Sequence, residues 1–469
     1  MSDVAYYTAC GVLTFGVLYG IAMMSRVKSA VMGNKLSSVC MAVAILLTLY
    51  KYDILSDTVL WVCIAIGLVA GLIGAYKVKM IEMPEVVALL NGFGGLASTL
   101  VAAISMLDGY TMDMFSLVTG GLALAVGMIT FTGSLVAGGK LHKLIPQRPV
   151  IWAGHQVVTT ASIIITGISV AAMALLPFGS TQLIILVLIC MAVSGFFGVA
   201  FAIRVGGADM PITISLLNSL SGVAGSVAGM AISDPLLVAI GGVVGASGLL
   251  LTQIMCRAMN RSLADILLGK TSIPAHKDTD AVTGIKSAEA DFDKNTSVPQ
   301  NQESPEELLL KANKVIIIPG YGMALAQAQG LVKQLADKLE SNGAEVLFAI
   351  HPVAGRMPGH MNVLLCEVDV PYEKLYEMET VNPQFSGCDV AVIVGANDVV
   401  NSAANTAQGT PIYGMPVLEA DKAKHVIVCN YDLKPGYAGV ENPLYTKSSG
   451  VTILLGDAKQ TLNDLLQKL

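Results

Sequence analysis

Charged side chains are scarce in this chain of 469 residues: Asp, Glu, Lys and Arg make up 13% of it, against about 25% in an ordinary soluble domain. Hydrophobic residues make up 54%, and the mean hydropathy is +0.66. This shortage of charge excludes a wholly soluble or a disordered protein. Residues 1–270 carry 13 basic and 10 acidic side chains, whereas residues 271–469 carry 15 and 24. The composition predicts an apolar membrane half and an acidic, water-soluble half, and the acidic excess argues against nucleic-acid binding.

Metal and nucleophile motifs are also lacking. The eight cysteines form no C-x-x-C pair and follow no zinc-type spacing, so we expect free thiols in a reducing compartment. The sequence has no P-loop and no Ser-His-Asp arrangement, and His351 and His360 are too isolated to predict a metal site. These absences remain compatible with chemistry that a bound cofactor carries, because such chemistry needs no protein nucleophile.

Long apolar runs dominate the first half. Nine stretches are long enough, or nearly so, to cross about 30 Å of hydrocarbon. They cover residues 4–24, 36–50, 58–76, 84–107, 113–138, 150–176, 181–203, 210–232 and 234–256. The first stretch follows Met-Ser-Asp without a basic segment, which is not typical of a signal peptide. The second is short, and its ends are poorly defined by the sequence.

Basic residues concentrate in alternate connections between these stretches. Twelve fall on one side of the predicted membrane: Arg26, Lys28, Lys35, Lys77, Lys79, Lys140, Lys143, Arg148, Arg204, Arg257, Arg261 and Lys270. The other side has only Lys51, together with several aspartates. The positive-inside rule therefore predicts a multi-pass protein with its N-terminus outside and its soluble half in the cytoplasm.

Polar groups inside the spans are few, and no carboxylate, Lys or Arg lies at the centre of one. Those present are Asn91, Thr130, Thr132, Ser134, His155, Gln156, Asn218, Ser219 and Ser221. A single Ser or Thr usually bonds its own helix backbone. Two asparagines are costlier to bury, and they favour either an interhelical hydrogen bond or a hydrated path. Asp209 precedes Met210-Pro211 at a helix start, where capping is the simplest interpretation.

The rest of the chain divides into a tether and a domain. Residues 271–305 are rich in Pro and acidic residues and poor in apolar ones, which predicts a flexible linker. We therefore expect a transmembrane domain over residues 1–270, this linker, and a separate α/β domain over residues 306–469.

The α/β domain begins with a motif typical of nucleotide sites. A predicted buried strand over 314–318 leads into Gly320 and Gly322 and then a predicted helix over about 325–341. Glycines there permit a tight turn and a close backbone approach to a pyrophosphate. Further strands are predicted over 345–350, 389–394, 425–429 and 451–455. Several end in glycine-rich loops, and ligands of open α/β sheets bind beyond the carboxyl ends of strands.

These loops resemble the β subunit of the proton-translocating NAD(P) transhydrogenase. The most specific segments are PGYGMA at 319–324, HPVAGRMPGHMNV at 351–363, GAND at 395–398, GMPVL at 414–418, GYAGV at 436–440 and GDAK at 456–459. In the membrane half, FTGS at 131–134 and GADMP at 207–211 also match. The resemblance implies an α-helical polytopic membrane bundle of about nine helices, followed by a cytoplasmic Rossmann-like domain that binds NADP(H).

The resemblance also implies partners and a reaction. A separate α subunit, with further transmembrane helices, would bring NAD(H), and the assembly would be a dimer of αβ units in the inner membrane. Hydride would pass directly between the two nicotinamides while protons cross the membrane.

Site residues follow from the resemblance by position. Those expected to hold the dinucleotide are Gly320, Tyr321, Gly322, Met323, Ala324, Val353, Ala354, Gly355, Arg356, Met357, Pro358, Gly395, Ala396, Asn397, Asp398, Val399, Gly414, Met415, Asn430, Tyr431, Asp432, Lys434, Gly436, Tyr437, Ala438, Gly439 and Asp457. Gly436 to Gly439 would close over it. Those expected to act in catalysis and coupling are Asp398, Asn91, Ser134, Asn218 and Asp209.

The sequence departs from the family pattern at two places. Asn91 stands where the resemblance implies a titratable histidine, so water, His155 or a histidine of the α subunit would have to serve instead. Asn430-Tyr431-Asp432 replaces Lys-Arg-Ser, which would bind the 2′-phosphate of NADP. Either Arg356 and Lys434 hold the phosphate while Tyr431 stacks on adenine, or the domain accepts NAD(H), because Asp suits a free 2′-hydroxyl. We favour NADP(H).

A different class of function remains open at this point. A secondary transporter with a nucleotide-sensing cytoplasmic domain would share the overall plan. Such a transporter usually shows charges at the midplane or paired broken helices, and neither is clear in this sequence. A pure membrane scaffold would leave the glycine-rich loops unexplained.

Overall fold

The protein forms two compact units. The computed structural model describes residues 2–24, 26–79, 82–107, 113–146, 149–176, 180–206, 209–258, 262–263, 304–355, 359–408, 410, 412–436, 438–447 and 449–469. The first unit comprises Met1–Arg257 with Ser262–Gly269, and the second comprises Ala258–Arg261 with Lys270–Leu469. The predicted linker lies almost wholly outside the described residues.

The first unit is a bundle of apolar helices. Within its described residues, nine helices are long and apolar enough to cross a membrane. They are α1 (Asp3–Met24), α2 (Val27–Lys51), α3 (Thr58–Lys77), α4 (Met83–Leu107), α5 (Met114–Leu141), α6 (His155–Met173), α7 (Thr181–Arg204), α8 (Met210–Ala231) and α9 (Pro235–Ala258). The prediction of a polytopic bundle is confirmed.

The bounds predicted for the second span were wrong. The apolar run suggested residues 36–50, but α2 begins at Val27. The hydroxyl of Ser38 donates to the Asn34 carbonyl at 2.9 Å, inside the same helix. Polar residues in these turns interrupt the hydropathy without interrupting the helix, because their hydrogen bonds are satisfied locally. Lys35 therefore lies within α2 rather than in a connection.

Aspartates begin several of these helices. Asp57 accepts the Val59 amide at 2.9 Å, Asp113 accepts the Ser116 amide at 2.9 Å, and Asp234 accepts the Leu236 amide at 2.9 Å. Each satisfies an amide that the helix itself leaves unbonded. Asp209 differs, because it takes a helical backbone conformation and makes no side-chain cap hydrogen bond. The capping interpretation of Asp209 was wrong.

Helix α5 lies at the centre of the bundle and packs against α4, α6, α7 and α8. Glycines bring the backbones together. A Cβ atom on Gly95 would lie 2.6 Å from the Gly127 carbonyl oxygen, and one on Gly198 would lie 2.6 Å from that of Ile129. Such close approach gives the packing contacts that hold helices together in lipid.

The second unit is a parallel sheet with helices. Its strands run β1 (Lys314–Pro319), β2 (Glu345–Ile350), β3 (Leu375–Glu377), β4 (Val390–Val394), β5 (His425–Asn430) and β6 (Val451–Leu455). Its helices are α10 (Pro305–Lys311), α11 (Tyr321–Leu325), α12 (Gln329–Ser341), α13 (His360–Glu367), α14 (Met378–Val381) and α15 (Ala458–Lys468). The strand order is β3-β2-β1-β4-β5-β6, and every neighbouring pair is parallel. This is the Rossmann order, so the predicted fold class is confirmed.

Two local predictions in this unit failed. Strand β3 was not predicted, because it has only three residues and pairs on one side, with β2. The helix predicted over about 325–341 begins later, as α12 at Gln329, and the separate short helix α11 precedes it. Gln327 takes a positive φ of 51° between them, and the Ala328 amide closes α11 on the Met323 carbonyl. No Gly or Pro marks this break in the sequence.

Candidate functional site

Two glycine loops meet where the order of the sheet reverses. Strands β1 and β4 are neighbours, but β1 leads outward to β2 and β4 leads the other way to β5. The amide of Gly320 donates to the Val394 carbonyl at 2.8 Å, and that of Gly322 donates to the Gly395 carbonyl at 2.8 Å. Gly395 has a φ of +66°. This boundary is where open α/β sheets bind dinucleotides.

Side chains at these positions would break the contact. A Cβ atom on Gly320 would overlap the Gly395 carbonyl oxygen, and one on Gly322 would lie 2.7 Å from the Gly395 Cα. Met323 and Ala324, also predicted to bind the cofactor, are buried in the core of the unit. The glycines therefore shape the edge of the crevice, and the side chains of Met323 and Ala324 support it from behind.

A buried polar cluster supports the loop after β4. The side-chain amide of Asn430 donates to the Ala396 carbonyl and to the Tyr445 hydroxyl, each at 2.9 Å. The Tyr445 hydroxyl donates to the same carbonyl at 2.9 Å. Burial raises the pKa of Tyr445 above its ordinary value, so this hydroxyl stays protonated. Asn430 is only 6% exposed, so its amide holds the loop rather than pointing to solvent.

The segment 431–442 is fastened to the loop after β4 by several hydrogen bonds. The side-chain amide of Asn397 donates to the Lys434 carbonyl at 2.8 Å, and that of Asn401 donates to the Val440 and Glu441 carbonyls at 3.3 Å. Asn442 donates to the Asn397 side chain at 3.2 Å. Asparagine suits this role because one side chain both donates and accepts.

Asp398 lies beneath the predicted closing loop. Its Oδ2 accepts the Ala438 amide at 3.1 Å. A Cβ atom on Gly436 would lie 2.6 Å from the Asp398 Cγ. The structure thus brings Asp398 together with Gly436 and Ala438, whereas Tyr437 lies outside the described residues. Gly439 has a φ of +67°, which favours glycine there.

The three residues that replace Lys-Arg-Ser behave differently from one another. Asn430 turns inward, whereas Tyr431 is 79% exposed. The Asp432 Oδ1 accepts the Lys434 amide at 3.1 Å, an Asx-type turn within the loop. Lys434 is exposed beside it. Tyr431 and Lys434 are therefore available to a ligand, and part of the Asp432 carboxylate stabilises the loop.

The loop after β2 depends on a neutral histidine. His351 is 2% exposed, its Nε2 donates to the Pro416 carbonyl at 2.8 Å, and its Nδ1 accepts the Val353 amide at 3.3 Å. Burial lowers the pKa of His351 to about 4, so the ring is neutral near pH 7. This ring joins the loop of Val353 and Ala354 to the segment holding Gly414 and Met415.

Other predicted residues of the dinucleotide site are more scattered. Gly355 has a φ of +105° and packs against His360. Arg356, Met357 and Pro358 lie outside the described residues. Val399 packs against the core of the sheet. Asp457 caps α15 after β6, two strands from the β1–β4 boundary, by accepting the Lys459 amide at 2.9 Å.

In the membrane unit, α4 and α8 begin with similar sequences. Residues 83–97 and 210–224, which are 127 positions apart, are identical at seven of fifteen positions. The shared residues are Met83/Met210, Pro84/Pro211, Leu89/Leu216, Leu90/Leu217, Asn91/Asn218, Gly95/Gly222 and Ala97/Ala224. The two membrane asparagines are therefore equivalent positions of a repeat, which sequence reasoning about single residues missed.

The two copies also pack in the register of the repeat. A Cβ atom on Gly94 would lie 2.6 Å from the Ser221 Oγ, and one on Gly225 would lie 3.9 Å from the Ser98 Oγ. Both pairs are 127 residues apart, so α4 and α8 run parallel. Asn91 and Asn218 lie three residues before the first of these contacts, and hence at one level in the bundle.

Ser134 of α5 lies at the same level of the bundle as the two asparagines. A Cβ atom on Gly92 would lie 3.1 Å from the Ser134 Cβ. The Ser134 Oγ and the Asn91 Nδ2 are both buried, and neither has a hydrogen-bond partner among the described residues. Asn218 is half-buried. The structure thus places Asn91, Ser134 and Asn218 at one level of the bundle, and two of their polar groups are buried there.

Several of the other polar groups predicted in the spans bond to backbone carbonyls. Thr130 bonds its own helix at the Val126 carbonyl, at 2.8 Å. Thr132 donates to the Gly195 carbonyl of α7, and Ser219 donates to the Gly245 carbonyl of α9. The Nε2 of His155 lies 2.9 Å from the Ala200 carbonyl oxygen. Asp209 is buried at the start of α8.

Metal chemistry finds no support in the parts of the chain that the structure describes. They contain no group of three or more His, Cys, Asp or Glu side chains placed to hold an ion. Fold and site together define a multi-pass membrane protein with an α/β domain of the Rossmann-like type.

Comparison with known proteins identifies the family. The family model of the NAD(P) transhydrogenase beta subunit matches residues 6–468. Two relatives from Rhodospirillum rubrum, each named NAD(P) transhydrogenase subunit beta and one of them assigned to a particular strain, are 39% identical over 470 residues and cover 98% of both chains. The chain therefore belongs to the NAD(P) transhydrogenase beta subunit family, as its motifs predicted.

Proposed function

We propose that this chain binds NADP(H) in its α/β unit and conducts protons through its membrane unit, as one subunit of a proton-translocating transhydrogenase. Hydride would pass between this NADP(H) and NAD(H) bound to a partner α subunit. The observation that carries the proposal is the glycine contact of Gly320 and Gly322 with Gly395 at the reversal point of a Rossmann sheet. Family membership supports the same assignment.

The residues at the crevice fit a dinucleotide. Backbone free of side chains faces the β1–β4 boundary, and the segment 431–440 is held beside it by Asn397 and Asn401. The nicotinamide would supply the hydride chemistry, so this chain needs to bind, orient and exclude water. The loops with Val353 to Pro358 and with Gly414 and Met415 would contribute further contacts.

Asp398 is suited to couple protonation to closure. Its Oδ2 accepts the Ala438 amide, and a proton on the carboxyl group would make it a weaker acceptor. The attachment of the closing loop would then weaken, which gives a closed state for hydride transfer and an open state for nucleotide exchange. Protonation in the membrane unit would bias these two states, with Asp209 taking part.

Asn91, Ser134 and Asn218 would line the proton route. Asparagine does not titrate near neutral pH, so these groups would bind a water chain rather than carry the proton themselves. The unpartnered Asn91 Nδ2 and Ser134 Oγ support this role. A titratable group such as His155, or a histidine of the α subunit, would complete the route.

The 2′-phosphate of NADP would be bound by groups other than the Lys-Arg-Ser that the family pattern implies. Lys434 and Arg356 would pair with it, and the exposed Tyr431 would stack on adenine. A second candidate, an NAD(H)-binding domain, is supported by Asp432, whose carboxylate suits a free 2′-hydroxyl. The assembly would be a dimer of αβ units in the inner membrane, with the N-terminus outside and the α/β unit in the cytoplasm.

Reconstitution with the α subunit in liposomes tests the proposal. We expect NADPH to reduce an NAD analogue with a distinct absorbance, and the lumenal pH to change with turnover unless an uncoupler is present. Asn91→Ala should reduce the pH change per turnover, whereas Asn34→Ala, at an exposed asparagine of α2, should not. Intact coupling in Asn91→Ala together with silent replacement of every histidine would refute the proton route. Hydride transfer with no pH change in the unaltered complex would refute the pump.

A further inference from the structure

A cleft opens between α6 and α7 at the end of the membrane unit where α7 finishes. Its walls are formed by Gln156, Thr159, Thr160, Ile163, Phe197, Phe201 and Arg204, and it is open on one side. None of these residues belongs to the proposed proton route or to the dinucleotide site. The cleft therefore needs an explanation of its own.

The cleft contains a buried cation, Arg204. It is the last residue of α7 and is only 7% exposed. Its Nε has no acceptor, and among the described residues no carboxylate forms an ion pair with it. Leaving a charge this deeply buried without a counter-ion is unfavourable, so the guanidinium is placed to receive an anion in the cleft.

A second cation, Lys140, lies at the same helix end as Arg204. The Lys140 ammonium group donates to the Ile203 carbonyl at 2.6 Å and to the Val205 carbonyl at 2.7 Å. These bonds hold a second cation at the same helix end and use the carbonyls on either side of Arg204. The guanidinium is thus left to bond a group from outside the bundle.

The cleft is polar at one end and apolar at the other. Gln156 and Thr160 lie in the first turns of α6, level with Arg204, and Ile163 lies one turn further into the span. Along α7, Phe197 lies two turns before Arg204 on the apolar side. Ile163 is 55% exposed, so this end of the cleft is open toward the hydrocarbon.

We propose that this cleft binds the phosphate of an anionic phospholipid. Two guanidinium N–H groups of Arg204 would donate to the phosphate oxygens, a charge-assisted geometry that Arg forms well. Gln156 and Thr160 would add donors, while the Thr159 hydroxyl already donates within its helix. One acyl chain would run along Ile163 and Phe197.

A lipid fits better than a free phosphate ion. A free ion would need only the polar end, whereas the cleft continues into an apolar wall of the kind that an acyl chain covers. Basic pockets between transmembrane helices at the membrane surface bind anionic headgroups in this way. The inference is independent of the proposed function, because it uses neither the nucleotide site nor the proton route.

Native mass spectrometry of the full chain in detergent tests the site. Dioleoyl phosphatidylglycerol, dioleoyl phosphatidylcholine and inorganic phosphate are added separately, and retained adducts and the midpoint of thermal unfolding are measured. We expect phosphatidylglycerol to be retained and to raise the midpoint, because a ligand of the folded state stabilises it. Arg204→Gln should weaken retention about tenfold or more, as the loss of a charge-assisted contact predicts.

Two further variants keep the test decisive. Arg257→Gln removes the corresponding basic residue at the end of α9, where the side chain is exposed, and should leave retention unchanged. Thr160→Glu places a carboxylate in the cleft, and it should abolish retention while keeping the chain folded. Equal retention of both lipids, or unchanged retention in Arg204→Gln, would overturn the proposal. Stabilisation by inorganic phosphate alone as strong as by the lipid would overturn the lipid as the ligand.

Discussion

Gly322 and Gly395 pack backbone against backbone at the reversal point of the sheet: a Cβ atom on Gly322 would lie 2.7 Å from the Gly395 Cα. The Gly322 amide also donates to the Gly395 carbonyl. The two glycine loops therefore form one rigid edge of the crevice, and neither can change without moving the other.

Gly395→Ala should destabilise the α/β unit by about 2 kcal/mol or more, because a left-handed alanine is strained and its Cβ would clash with the Gly322 backbone. Hydrogen exchange of peptides from β1 and β4 in the full chain measures the change. Gly330→Ala is the control: its Cβ meets nothing within 4 Å, and helix α12 should gain about 0.5–1 kcal/mol. Equal exchange in the two variants would contradict the rigid-edge interpretation.

His351 should make the α/β unit sensitive to acid. The folded ring has a pKa of about 4, and the unfolded ring one of 6.5, so the unfolded chain binds the proton more tightly. Stability is therefore fully present above pH 6.5 and falls as the pH drops toward 4, by about 3 kcal/mol from this residue.

His351→Gln should reduce the loss of unfolding free energy between pH 6.5 and pH 4. Urea unfolding of the α/β unit in the full chain, at a series of pH values, measures this loss. His142→Gln, at a largely exposed histidine of the membrane unit, should leave the loss unchanged. An unaltered slope in His351→Gln would show that another group is responsible.

Cysteines should cross-link α4 and α8 only in the register of the repeat. The Gly94 Cβ would lie 3.9 Å from the Ser221 Cβ, within the range of about 3.5–4.5 Å that a disulfide requires. In a chain freed of its eight cysteines, Gly94→Cys with Ser221→Cys should oxidise in the membrane. Gly94→Cys with Gly225→Cys, one turn out of register, should not. Gel mobility with and without reductant reports the result, and the reverse pattern would exclude parallel packing.

Asp432→Asn should show how the negative charge of Asp432 affects nucleotide binding while the loop keeps its structure. Asn keeps an oxygen for the Lys434 amide but removes the negative charge. If the residue faces the 2′-phosphate, NADP(H) affinity should rise about three- to tenfold with little change for NAD(H), because a like-charge contact is lost. Calorimetry on the full chain measures both. Asp464→Asn, an exposed change on α15, controls for net charge, and no effect of Asp432→Asn would show that it does not face the phosphate.

The sequence predicted most of the fold because its strongest patterns are local. The run Val315 to Ile318 is apolar and bounded by turn residues, so β1 was predicted almost to its ends. Strand β3 and the break at Gln327 were not predictable in this way. The first is a three-residue edge strand, and the second is a backbone reversal without Gly or Pro.

The candidate site was harder to predict, because side-chain direction is a property of the tertiary structure. Asn430 occupies a position expected to face the phosphate, yet its amide turns inward to Ala396 and Tyr445. Tyr445, Asn401 and Asn442 were missed, since each acts by fastening a loop rather than by matching a motif. By contrast, the similarity between residues 83–97 and residues 210–224 can be seen in the sequence alone, and it aligns Asn91 with Asn218.

The parallel packing of α4 and α8 limits how this chain can have evolved. Four helices, counted from α4 through α7, make up the 127-residue period, so the second copy re-enters the bilayer in the same direction as the first. If one transmembrane helix were gained or lost between α4 and α8, α8 would cross the membrane in the opposite direction. Asn218 would then lie toward the opposite leaflet from Asn91. Helices can therefore be added or removed between α4 and α8 only two at a time.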